Sequence, residues 1–214
     1  MATAIRRTLL VGAPLALAVV LWWHPPGGEN VYAGVRDDVG AWLFVHTAFL
    51  FITPLLGIAA FVLLRGITGP AASVSRVALV FFLVFYTAYE SNVGIGTAVL
   101  VDYANGLPPA EQAVVADAIQ DYNRNPIITD PSISMVAGVV GWITAMIAAA
   151  VAFRREGASW IVTLLIGLAA VFAIHPPPVG PIGLVCFAAA ATLVERARAR
   201  AATTPVSPPA AASA

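Results

Sequence analysis

Six stretches of the chain are apolar along nearly their whole length, and each is bounded by Pro, Gly or charged residues. They cover residues 8–23, 41–64, 76–101, 133–153, 159–175 and 179–194. Most approach the ~20 residues that an α-helix needs to cross a hydrocarbon core about 30 Å thick. The pattern predicts an all-α chain, a polytopic integral membrane helical bundle of about six transmembrane helices filling residues 1–195. Residues 102–132 are the one long polar connection. Within them, 109–123 place Val114, Val115, Ala118, Ile119 and Tyr122 at helical spacing between Pro108-Pro109 and Asn125-Pro126. This predicts a short amphipathic surface helix, either over a cavity mouth or as ordered loop only. Beyond the last apolar stretch, residues 196–214 turn Ala/Pro/Ser-rich and are expected to form a disordered cytoplasmic tail.

The first stretch follows Arg6-Arg7 and also has the form of a signal peptide. The small residues Ala16 and Ala18 lie inside the apolar run rather than after it, so the segment is expected to stay as a helix. Trp22 and Trp23 at its end suit the interfacial belt.

Composition agrees with the pattern. The chain is 60% hydrophobic and 10% charged, against about 45–50% apolar in soluble domains, and the lipid bilayer is its expected partner. Net charge is zero, so nucleic acid is not expected as a partner. The single cysteine, Cys186, excludes an internal disulfide and any CxxC metal motif.

Charge placement is more informative than charge balance. Of the 11 basic residues, all arginines, only Arg36 and Arg124 fall on the side opposite the N-terminus. That side carries Glu29, Asp37, Asp38, Asp102, Glu111, Asp117, Asp121 and Asp130. The positive-inside bias predicts both termini in the cytoplasm and a multi-pass protein of the plasma (inner) membrane.

Under that topology the three histidines share the outer half: His24 leaving the first helix, His46 just inside the second, His175 leaving the fifth. By the ~1.5 Å rise per helical residue, His46 lies on the order of 9 Å below the outer surface and Glu90 on the order of 16 Å. An ionisable group inside an apolar helix is costly and marks a functional site by default. Tyr86, Glu90, Gly94 and Thr97 share one stripe of the third helix, and His46, Leu50, Thr53 and Gly57 share one of the second. The expected site is an outward-opening pocket that binds a ligand through His46, Glu90, His175, Tyr86 and Thr53, with His46, Glu90, His175 and His24 as candidate metal ligands. Histidines with a carboxylate suit zinc, copper or non-haem iron, and a facing His46–His175 pair would suit haem. The bland alternatives are an interfacial cap for His24 and packing hydrogen bonds for His46 and Glu90.

Several classes are set aside. There is no HExxH, no GxSxG, no Walker A motif, and GIG at residues 94–96 lies inside a membrane helix rather than after a strand. The HxxxH helix of the seven-helix zinc hydrolase and receptor group and the four-histidine pattern of di-haem membrane cytochromes are both missing. The expectation is a pocket for a metal or small ligand, with hydrolytic or redox chemistry. The alternatives are an accessory or scaffold subunit with a partner membrane subunit, and a small-solute transporter. The last lacks a detectable inverted repeat.

Overall fold

A computed structural model describes residues 3–127 and 131–203 of the chain. Among these residues there are helices and no strand. Five helices are long and apolar enough to cross a membrane: α1 (Ala4–Leu21), α3 (Val39–Leu63), α4 (Pro70–Asn105), α6 (Ile133–Arg155) and α8 (Val179–Thr203). The short α2 (Val31–Val35) and the 15-residue α5 (Pro109–Asn123) lie in the connections. The apolar α7 (Trp160–Ala173) is shorter than the other five.

Local chemistry sets the boundaries. The helix α4 begins at Pro70, earlier than the apolar pattern predicts, because Gly69 turns the chain at φ 92° and proline is preformed for a first helical turn. Ser132 and Ser159 cap α6 and α7 by accepting from Met135 N and Val162 N. The last helix runs past residue 194 to Thr203, so 196–203 are helical where a disordered tail is expected. Ala and Arg are good helix formers, and Arg198 fastens this extension by donating to the carbonyls of Leu63 (2.9 Å) and Arg65 (2.8 Å). The rest of the expected tail lies outside the described residues.

Packing relies on small residues where backbones approach. A side chain at Gly138 would meet Tyr86 N at 2.7 Å, and one at Gly141 would meet Phe82 N at 2.8 Å. These glycines bring α6 against α4, and Ser75 Oγ donates across the same interface to Ala145 O (2.8 Å). Trp142, fully buried, donates to Ala169 O (2.8 Å) and ties α6 to α7.

One end of the bundle is held by arginines. Arg6 pairs with Glu195, Arg198 reaches Glu195 at 3.3 Å, and Arg76 donates to the carbonyls of Leu64 and Ile67. At the opposite end, α5 folds down onto the bundle. Its packed positions are Ile119 and Asn123, with Val115 half-buried beside them, while Val114 is 70% exposed. The buried face is therefore rotated from the one read in the sequence, because Asn123 turns inward to bond Thr97 Oγ1 (3.2 Å) on α4.

Candidate functional site

At the α5 end, the chain between α1 and α2 and the chain between α7 and α8 converge over the ends of α3 and α4. His46 stands on the second turn of α3, where its Nδ1 donates back to the Trp42 carbonyl (2.8 Å). A carbonyl can only accept, so Nδ1 carries the proton and Nε2 keeps its lone pair. The Trp42 ring stacks on the imidazole (centroids 4.6 Å apart), and its Nε1 donates to Gly94 O (3.0 Å) on α4.

Glu90 opens a seven-residue π-helical stretch, Glu90–Gly96, inside α4. Such widened turns alter helical phase and occur frequently at functional sites. Gly94, in the same stretch, has no side chain because the His46 ring occupies that space. The Glu90 carboxylate is buried, with Oε2 3.6 Å from His46 Nε2 and Oε1 3.7 Å from His175 Nδ1. Oε1 has no hydrogen-bond partner among the described residues.

His24 follows α1 in a turn in which its backbone N–H donates to Leu21 O (3.0 Å). Its Nδ1 donates to Pro25 O (2.6 Å), again leaving Nε2 unprotonated. Burial holds this imidazole below its ordinary pKa, so the ring is neutral near pH 7.

His175 ends the chain segment that starts with α7, whose last five residues are 3-10. With ~1.5 Å per α-helical and ~2.0 Å per 3-10 residue, α7 rises roughly 23 Å, short of a full ~30 Å crossing. The ring therefore stays level with the other two histidines. Its Nε2 lies 3.3 Å from His24 Nε2, and its Nδ1 lies 3.1 Å from the Tyr86 hydroxyl. That hydroxyl also reaches the Glu90 carboxyl. Gly180, at the start of α8, packs directly beneath the His175 carbonyl.

One ring nitrogen from each of His24, His46 and His175 thus falls within 4.8 Å of the other two. A cavity of about 590 Å³ opens onto them, lined by Glu90, Trp42, Tyr89, Val93 and, from α5 and its end, Gln120, Asn123 and Arg124. The larger apolar groove between α4 and α6, lined by residues such as Val77, Phe81 and Val136, contains none of these groups.

Comparison of the chain with models of known protein families, with curated proteins and with solved structures returns no match.

Of the residues singled out in the sequence, His24, His46, His175, Glu90 and Tyr86 meet at one place. Thr53 does not. It is buried two turns deeper on α3, outside the cavity lining, and its Oγ1 has no partner among the described residues. Trp42 and the polar end of α5 were not among the sequence candidates. An aromatic one turn before His46 is a usable signal for the first. Gln120 carries no such signal; its role is to bond Val31 N (3.0 Å) and Glu29 O (3.1 Å), joining α5 to the loop after His24.

Proposed function

We propose that the protein is a membrane metal-binding protein that holds a transition-metal ion through His24, His46 and His175. One observation supports this above the others. Three imidazoles converge, and each has its Nδ1 against an oxygen: Pro25 O, Trp42 O and the Tyr86 hydroxyl. Metal-ligating histidines have this second-shell arrangement, in which one nitrogen is oriented by an acceptor and the other faces the ion. The 3.3 Å between the Nε2 atoms of His24 and His175 matches two ligands at ~2.0–2.1 Å on a roughly tetrahedral centre.

Three protein ligands with a cavity on the remaining side correspond to an open coordination position rather than a closed structural site. Imidazole suits zinc and copper. Haem is disfavoured, because the His24 ring sits against both His46 and His175 at centroid distances of 5.1 and 5.0 Å, leaving no slot for a macrocycle between them. In the competing account, an accessory subunit, the same residues serve only to hold helices together. In the membrane the arginine-rich end faces the cytoplasm, both termini are cytoplasmic, and the cavity opens outward in the plasma (inner) membrane.

The protein purified in detergent, stripped with chelator and titrated with Zn2+ is expected to take up one ion per chain. Substitution of any of His24, His46 or His175 by Ala should abolish stoichiometric binding. Uptake unaffected by all three substitutions would refute the assignment. A reporter fused after Arg200 should read cytoplasmic, and an outside reading would overturn the orientation.

A further inference from the structure

The cavity is far larger than an ion requires. A water takes up ~30 Å³ of liquid volume, and sites for small organic ligands run from about 300 to 1,000 Å³; this one is about 590 Å³. Its walls are of two kinds. Val31, Val93 and Tyr89 offer apolar surface, whereas Gln120, Asn123 and Arg124 bring polar and cationic groups from α5 and its end. Glu90 is buried beside the imidazoles, with Oε2 3.6 Å from His46 Nε2 and Oε1 3.7 Å from His175 Nδ1, while the three histidines alone form the set whose ring nitrogens all lie within 4.8 Å of one another. A carboxylate just outside a three-histidine ion is placed to hydrogen-bond a water on the open coordination position.

Resting on the metal reading above, we infer that the site hydrolyses an acyl ester, with Glu90 as the general base for a metal-bound water. The ion lowers the pKa of the water it holds and polarises the substrate carbonyl. Glu90 takes one proton from that water, and the resulting hydroxide forms a C–O bond to the carbonyl carbon. The tetrahedral intermediate then expels the alkoxide by breaking the ester C–O bond, and the proton on Glu90 passes to the alkoxide. One water is consumed, a carboxylic acid and an alcohol are released, and nothing is oxidised or reduced. The acyl chain lies along Val31, Val93 and Tyr89, while the polar portion of the ester faces Gln120, Asn123 and Arg124. No GxSxG nucleophile is needed, because the nucleophile is water.

The test uses the full chain in detergent, zinc-loaded or zinc-free, with p-nitrophenyl acetate and p-nitrophenyl octanoate as probes and p-nitrophenolate release as the readout. Zinc-loaded protein should turn over both, and the octanoate with the lower KM. Glu90→Gln should retain one zinc per chain yet lose about 10²–10⁴-fold in kcat, the usual contribution of a general base, and Glu90→Asp should recover part of it. Three results would overturn the inference while leaving the metal site standing: zinc-loaded protein no faster than zinc-free, Glu90→Gln as fast as the native chain, or equal loss in Glu90→Gln and Glu90→Asp with zinc retained. Loss of zinc from Glu90→Gln would make Glu90 part of the ion's support and also overturn its role as base. Failure of the native chain to bind zinc would overturn both readings.

Discussion

The His46 ring on α3 fills the space that a side chain at Gly94 on α4 would occupy. Next to that contact, the Trp42 indole hydrogen-bonds the Gly94 carbonyl, so one glycine fixes both the depth of the imidazole and the approach of the two helices. Gly94→Ala should therefore displace His46. Overpacking of this kind costs about 1–3 kcal/mol, and zinc affinity should fall at least about tenfold, as for disturbed ligand support. Thermal unfolding and zinc titration of the variant check the two effects separately.

Tyr86 supplies the oxygen that faces His175 Nδ1. Two neutral tautomers are open to His175. With the proton on Nε2 it donates to His24 Nε2, and with the proton on Nδ1 it donates to the Tyr86 oxygen and frees Nε2 for a metal. Tyr86→Phe removes that acceptor and leaves only Glu90 Oε1, at 3.7 Å, in reach. Zinc affinity should drop about 10–100-fold. Because the ring is fully buried and retained, the helical circular dichroism should not change.

At the arginine end the expected outcome is the reverse. Glu195 pairs with Arg6 on α1 and with Arg198 one turn away, and its side chain is 12% exposed against 32% for Arg6. After allowance for solvent screening of the more exposed partner, Glu195→Gln should cost about 0.5–2 kcal/mol. Zinc stoichiometry should stay at the native value, which separates damage to the fold from damage to the site. A zinc loss in this variant would show the two ends to be coupled.

Metal removal gives a thermodynamic check. An ion bound only by the folded chain adds about 2.7 kcal/mol at a free concentration 100 times its Kd. Chelator should therefore lower the unfolding midpoint of the native protein. The same chelator should leave His24→Ala, His46→Ala and His175→Ala unmoved, since they have no ion to lose.

The helical architecture was legible because it follows from composition and from breaks at Pro and Gly, which a short sequence window reports. The gathering of the site at one end of the bundle was partly legible. Antiparallel neighbours put the exits of the first and fifth segments and the start of the second at one end, and Glu90 interrupts an apolar run. The stripe Tyr86, Glu90, Gly94 and Thr97 stays buried along α4 even though a π-helical stretch runs from Glu90 to Gly96. What a period does not carry is how far along a helix the site extends. Thr53 shares the α3 stripe with His46 but sits two turns deeper, outside the cavity lining, and Trp42, one turn before His46, gains its place from its bond to the Gly94 carbonyl. Rotation of α5 onto Ile119 and Asn123 escaped for a related reason: a buried asparagine reads as polar surface until its partner, Thr97, is known.

The three imidazoles come from well-separated parts of the chain, two from its first quarter and the third from position 175. During synthesis the nascent protein therefore offers at most two of them until His175 has been made. On the proposed metal reading, a product that stops before His175 would form its early helices yet lack the full set needed to hold the ion.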